Sequence, residues 1–396
     1  MISVLEAKRL VAENTKLIDS ISMPLYVAAG LILAEDVFSG IDVPPFNQSA
    51  MDGYGFRFDD LKDKQTLTIT GEIPAGVFPT AALLPNSAIR IFTGAPVPEG
   101  CDTVVMQEKV SVLKNQLLIN DVQIKKGINI RLKGSQTTIG SLAFKAGSKI
   151  TPGAAGFLAG LGVDKVNVFR IPNVCIITTG KELNNPGQVL EPGKVYECNS
   201  YSLNAALNQL NIKQKKILSV DDDELEITNL IKYNLTDCDV MILSGGVSVG
   251  DYDFVYKAFD NCGVQRVFHK VKQKPGKPIY FGKFKDTLVF GLPGNPSALL
   301  TCFYEYIAPA LKKMMGFETE SKAEVHLPLS SSFSKKEGLT YFIKGKISGT
   351  EVEILHAQES YQMSSFAFAD CIIQLDENKT EYQKGELVEV HLINCL

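Results

Sequence analysis

The chain has 396 residues, of which 45% are hydrophobic and 21% charged, with a net charge of −4. That length exceeds the ~250–300 residues at which single cores stop growing, so several domains are expected. The weak acidic balance gives nucleic acid or an anionic membrane no reason to bind, and no apolar run reaches the ~18 residues of a membrane span.

The opening MISVLEAKRLVAENTKLIDSIS has acidic residues within its apolar runs and reads as an amphipathic helix rather than a signal peptide. Residues 3–36 keep helical spacing, which predicts two helices around a break near Ser22-Met23-Pro24. A turn-rich stretch, 41–54, follows. From about 66 to 150 short β-rich runs (66–70, 88–92, 103–107, 110–113 and 116–119) are separated by Gly, Pro or Asn, the pattern of a small all-β module. The small apolar segment 151–161 predicts a short buried helix.

From Val174 the rhythm changes to alternating strands and helices. Strands are expected at 174–177, 216–220, 239–243, 264–268, 279–281 and 288–290, with helices at 201–210, 222–233, near 254–259 and from Asn295 to about Met315. Such alternation specifies a mostly parallel α/β sheet covered on both faces. Asn199-Ser200 and Asn295-Pro296 are placed to cap helices. Beyond about 320, β-type alternation returns as a second small β module. The eight cysteines form no C-x-x-C pair and several lie in apolar runs, so buried free thiols and a reducing, cytoplasmic compartment are expected; the four histidines show no metal-ligand spacing.

The strongest local signal is a strand, then Ser244-Gly245-Gly246-Val247-Ser248-Val249-Gly250, then a helix. Glycines at the carboxyl end of a strand in such a sheet let backbone N–H groups approach an anionic ligand. The same residues fit G-x-S-x-G, the nucleophile elbow of α/β-hydrolases, with Ser248 as nucleophile. A second signal, Lys270 to Pro278, holds four lysines in eight residues, stiffened by prolines around Gly276; aimed ammonium groups suit phosphate. The third, Gly291-Leu292-Pro293-Gly294-Asn295-Pro296-Ser297, joins a strand to a helix and offers another anion site or simply a well-made connection. Among acids, Glu182, Asp221–Asp223, Asp251 and Asp253 follow strands of one α/β unit, and Asp52 follows Ser49-Ala50-Met51; hard oxygen donors beside lysines suit Mg²⁺.

Together these segments resemble the MoeA family of molybdenum insertases, which includes the E domain of gephyrin. The matching stretches are 45–54 (PFNQSAMDGY), 93–98 (TGAPVP), 179–183 (TGKEL), Asn199-Ser200, 244–253, 274–278 (KPGKP) and 292–296 (LPGNP), in family order over roughly residues 1–370. The resemblance implies a multidomain α/β plus β fold. Its parts would be an elongated domain I (1–42 and 141–170), a β-rich domain II (43–140), a MogA-like α/β domain III that binds molybdopterin (171–318) and a C-terminal β-barrel, domain IV (319–396).

The implied reaction takes molybdenum from molybdate into adenylylated molybdopterin and releases AMP, in a cytoplasmic, Mg²⁺-dependent homodimer. By position, Asp52, Glu182, Asp222 and Asp253 resemble the acidic catalytic set, with Glu182, Asp222 and Asp253 on Mg²⁺. Thr93, Ser244, Gly245, Gly246, Ser248, Lys274 and Lys277 resemble pterin- and phosphate-binding positions. Pro293, Pro296, Lys344 and Ser364 or Ser365 resemble the surroundings of the molybdate pocket. The resemblance implies that Asp52 and Thr93 complete a site on the partner's α/β domain, and that partners could include the molybdopterin adenylyltransferase and cofactor-acceptor proteins. Two positions depart from the family: Gln136 stands where an acid is common, and Lys344 where arginine is common, losing the two-point grip of guanidinium. The other readings are a gephyrin-like scaffold, a molybdopterin adenylyltransferase, which shares the Gly-Gly-Val-Ser loop but is a single α/β domain, and a hydrolase acting through Ser248.

Overall fold

A computed structural model describes residues 1–61, 66–246, 254–318 and 324–393. Helix α1 (Val4–Asn14) starts where the Ser3 side chain accepts from the Glu6 N–H, and it buries Val4, Ala7 and Val11, one stripe at helical spacing. The second helix expected before residue 36 does not form. Ser20–Pro24 is extended and Leu25–Val27 is a single 3₁₀ turn, because proline pushes the residue before it out of the helical region.

The chain forms two units: Ser22–Asn167, and Met1–Ile21 together with Val168–Leu396. The segment 1–42 is therefore divided between them, α1 lying with the later unit. In the unit Ser22–Asn167, strands β1 (Gly53–Phe56), β2 (Thr66–Ile73), β3 (Ser87–Ile91), β4 (Thr103–Met106), β5 (Val110–Leu113) and β6 (Gln116–Ile119) form one sheet in the order β4-β1-β3-β2-β6-β5. At Gly53 a Cβ would lie 1.9 Å from the Val105 carbonyl oxygen, so only glycine lets β1 pair there with β4. Helix α2 (Pro152–Gly160) is capped by Thr151, and it is not the buried helix expected: it buries only Ala154 and Leu158, leaving most of an apolar helix at least partly exposed.

In the other unit, β7 (Val174–Thr179), β8 (Lys215–Val220), β9 (Val240–Ser244), β10 (Gln265–His269), β12 (Tyr280–Phe284) and β13 (Thr287–Leu292) form a sheet in the order β8-β7-β9-β13-β12-β10. The first four strands run parallel. β12 runs antiparallel to both its neighbours, β13 and β10; only Lys285 (φ +53°) and Asp286 separate it from β13, and a two-residue turn can only make a hairpin. Alternate residues of β7 and β9 serve two cores. Val174, Ile176, Val240 and Ile242 meet helix α3 (Asn199–Gln209) and the long helix after β13. Cys175, Ile177, Met241 and Leu243 meet α4 (Glu224–Asn234) and α5 (Phe254–Asn261).

The helix after β13 has three parts: α6 (Pro296–Cys302), one π turn (Phe303–Ile307) and α7 (Ala308–Met314). Pro309 has no N–H for the Glu305 carbonyl and its ring crowds that oxygen, so the turn widens and the Ala308 N–H reaches back to Phe303. Beyond it, β14 (Glu324–Pro328), β15 (Thr340–Ser348), β16 (Glu351–Ile354), β17 (Cys371–Leu375) and β18 (Leu387–Leu392) make a sheet ordered β15-β17-β18-β14, with β16 on the free side of β15. The lysine segment joins this sheet: β11 (Gln273–Lys274) pairs in parallel with β15, Gln273 opposite Thr340 and Lys274 opposite Tyr341.

Candidate active site

Strands β7, β8 and β9 end level with one another, Thr179 beside Val220 and Thr178 beside Ser244, so the residues after them collect at one sheet edge. Gly245 (φ +101°) and Gly246 (φ +61°) turn the chain there, and a Cβ on Gly245 would stand 2.5 Å from the Thr179 carbonyl oxygen. Among the described residues the Thr179 hydroxyl, buried beside them, has no hydrogen-bond partner. Glu182 is exposed and folds its carboxylate back over Gly180, where a Cβ would be 2.9 Å away. Asp222 is half-buried in the turn after β8, while Asp223 is spent on capping α4, accepting from the Leu225 and Glu226 N–H groups at 3.0 Å. Ser248 and Asp253 lie outside the described residues.

Asn199 links two of the loops by donating from Nδ2 to the Ser244 hydroxyl (2.9 Å) and to the Gly294 carbonyl (2.8 Å). It does not cap α3 as expected: the Glu197 carboxylate does, accepting from the Ser200 N–H at 2.8 Å and its hydroxyl at 2.5 Å. A cleft of about 360 Å³ opens beside these groups between the ends of β7 and β8, lined in part by Gly180, Glu197, Tyr201 and Asp221.

Of the two readings left open for the start of α6, an anion site or a well-made connection, its bonds fit the connection. The Ser360 carbonyl accepts from the Ser297 and Ala298 N–H groups at 3.0 and 3.3 Å, and Asn295, instead of capping, donates to the Ser360 hydroxyl at 3.0 Å. A buried cation stands close by. Lys344, 1% exposed on β15, donates to the Ser297 hydroxyl at 3.0 Å and lies 5.7 Å over the Phe366 ring. Burial pulls its pKa down to about 8, partly offset by the Glu359 carboxylate. Pro293 is buried and Pro296 half-buried at the two ends of this loop. Ser365 spends its hydroxyl proton on the Ala357 carbonyl at 2.8 Å and Ser364 is exposed; from this segment it is Phe366 that faces Lys344.

Lys274 and Lys277 are exposed on a turn fixed from beneath. Buried Gln273 donates to the Pro275 carbonyl at 3.0 Å and accepts from the Tyr306 hydroxyl, and a Cβ on Gly276 (φ +88°) would stand 2.5 Å from Cys302 Sγ. Lys274 is 3.8 Å from Glu359, a loose pair that leaves its charge to solvent or substrate. In the other unit, exposed Asp52 accepts from both the N–H (2.7 Å) and the hydroxyl (2.8 Å) of Thr93, which together hold its carboxyl below the usual range. The pairing of Asp52 with Thr93 was not anticipated, nor were the contributions of Ser297, Gln273 and Ser360. Their only signals in sequence are a serine in the second helical position and polar residues between apolar ones.

Family comparison covers nearly the whole chain. Residues 2–162 match the MoeA N-terminal region (domain I and II), 175–313 the "Probable molybdopterin binding domain", and 326–393 the MoeA C-terminal region (domain IV). A molybdopterin molybdenumtransferase of Haemophilus influenzae is 34% identical over 382 residues, spanning 94% of this chain and 93% of its own. One from Nostoc is 36% identical over 312 residues, 77% of this chain and 70% of its own. A molybdopterin biosynthesis MoeA protein from Pyrococcus horikoshii has the same fold across the full length of both chains, with a TM-score of 0.87 at 29% identity. With three consecutive family regions in their proper order and a fold shared from end to end, the chain belongs to the MoeA family.

Proposed function

We propose that this protein inserts molybdenum from molybdate into adenylylated molybdopterin, releasing AMP. One observation carries the reading: Lys344, a buried ammonium whose hydrogen-bond partner is a neutral hydroxyl, beside the loop that follows β13. Among the described residues no carboxylate is in ion-pair contact with it and Glu359 offsets its burial only in part; a buried cation so placed is costly, and an oxyanion of molybdate's size and charge would offset that cost. Lysine at this position is a compact donor, compatible with a tetrahedral oxyanion.

In this reading Gly245 and Gly246 bring backbone and the Thr179 hydroxyl against the pterin phosphate, and Lys274 and Lys277 neutralise the adenylate's charge. Asn199 holds the Ser244 and Gly294 loops at a fixed spacing, which orients the pterin toward Lys344. Glu182 and Asp222 are the oxygen donors whose chemistry fits Mg²⁺, with Asp253; bound there, Mg²⁺ would supply charge neutralisation at the phosphoanhydride. The relatives are named as transferases, and neither hydrolysis through Ser248 nor a purely scaffolding role gains support from them.

The reading includes a homodimer in which Asp52 and Thr93 of one copy complete the site of the other. Its support is the exposed apolar surface of α2 and its surroundings, where Tyr26, Val27, Phe38 and Leu142 face outward. The free, mostly buried cysteines favour a cytoplasmic compartment. The test is Lys344→Met with molybdate titrated against adenylylated molybdopterin. A KM for molybdate raised on the order of a hundredfold is expected from loss of the charge; an unchanged KM would remove the oxyanion role.

A further inference from the structure

Lys344 does not stand alone on its sheet. It is opposite Ile372 on β17, and Ile372 is opposite His391 on β18, so the three side chains share one row and one face. Both ends of that row grip the same helical stretch. Lys344 bonds Ser297 in α6, and the His391 Nδ1 lies 2.8 Å from the carboxylate of Glu305 in the π turn. Glu305 is itself buried, 4% exposed, and its other oxygen is 2.8 Å from Lys8 Nζ on α1. Lys8 also donates to Gln374 (3.2 Å), which donates to Glu389 (2.8 Å), whose second oxygen meets the His391 Nε2 at 2.8 Å. Two cations and two carboxylates thus close a neutral ring across α1, the π turn, β17 and β18.

We propose that Glu305, His391 and Lys8 are positioning residues for Lys344: by clamping one end of the row to the π turn they hold the other end against Ser297, where the oxyanion is taken up. The proposal rests on the oxyanion role of Lys344. A sheet of small residues could pack on this helix without any charge, and a hydrophobic isostere of a buried ion network often costs nothing in stability. What a charged ring adds is registry, since each bond is satisfied in one arrangement only, and a side chain meant to meet a small ligand must be held to within a fraction of an ångström. The widened turn at Pro309 belongs to the same device, for it is the turn that carries Glu305.

The experiment is a double-mutant cycle on molybdate KM with the full-length protein, adenylylated molybdopterin and molybdate. His391→Gln should raise KM on the order of tenfold with kcat altered less than about twofold, and should add little in a Lys344→Met background. Glu389→Gln, at the more exposed side of the ring, should act in the same direction and more weakly, which keeps the test open if His391→Gln does not fold. If Lys344→Met leaves KM unchanged, the oxyanion reading itself fails. If Lys344→Met raises KM while His391→Gln and Glu389→Gln do not, or if His391→Gln acts equally in both backgrounds, the ring is only a structural staple and the positioning role is overturned.

Discussion

Single side chains decide most of the chemistry here, and Lys344 is the clearest of them. Burial lowers its pKa to about 8. Its ammonium form, the form that can hold an oxyanion, therefore prevails below that pH and is lost above it. We expect molybdate KM measured from pH 6.5 to 9.5 to be flat and then to climb above about 8. The groups facing Lys344 are Ser297, Phe366 and Glu359; His391, farther along the same row, loses its proton near 9, so the same profile on His391→Gln separates the two titrations. A flat profile to pH 9.5 would show that the charge is not needed. Gly245 makes a steric prediction of the same scale. Alanine there would combine a φ of +101° with a Cβ 2.5 Å from the Thr179 carbonyl, so Gly245→Ala should lose adenylate binding by displacing the turn. Isothermal titration with adenylylated molybdopterin checks it, and wild-type affinity would contradict it.

Among elements, the helix after β13 ties the site together, and its π turn is where the ion ring attaches. Burial alone would lower the His391 pKa, but Glu305 and then Glu389 raise it to about 9. Burial would likewise raise that of Glu305, and Lys8 with His391 brings it down to about 2. The signs define a window. The His391 contribution to stability is complete below about 6.5 and disappears as pH rises through about 9; that of Glu305 is complete above about 4.5 and disappears as pH falls through about 2. Wild-type Tm should therefore decline between pH 6.5 and 9 by a component that His391→Gln lacks. Because Glu305 would be left buried beside one remaining cation, that variant should lose roughly 3–5 kcal/mol at pH 6. Equal pH slopes for wild type and variant in thermal unfolding would contradict the assignment.

Much at this scale was legible in the sequence, for stated reasons. Strands β7 and β9 are buried throughout and begin with apolar runs because both faces are covered, and the small apolar segment 151–161 marked the place of α2, though not its exposure. Non-local arrangements were not legible. The cap of α3 came from Glu197 rather than Asn199-Ser200, since Asn199 was drawn to Ser244 and Gly294, forty-five and ninety-five residues away. The start of α6 was covered by Ser360 from the following β module, a contact no window around residue 296 contains. Lys344 was found only through resemblance, because a lysine between apolar residues on a strand gives no hint that it is buried.

At the scale of the whole molecule, the residues assigned under the proposal fall in both units: Asp52 and Thr93 in one, Glu182, Asp222, Lys274, Lys277 and Lys344 in the other. If a dimer joins them across copies, Asp52→Asn and Glu182→Gln proteins should each be inactive and should regain activity when mixed and exchanged. Mixed dimers have one intact site. No recovery after exchange, with dimers present by sedimentation, would show that each site is built within one copy. The domain order was readable because each module has its own periodicity, whereas the placement of α1 with the later unit was not, since an amphipathic stripe does not say which core it covers.

The most direct test of the proposed reaction is release of AMP from adenylylated molybdopterin by the purified protein with molybdate and Mg²⁺, beside its Glu182→Gln variant. AMP release that depends on molybdate in the wild-type protein and falls at least about a hundredfold in the variant is expected if Glu182 acts at the phosphoanhydride. No molybdate-dependent release by the wild-type protein, or equal release by the variant, would contradict it.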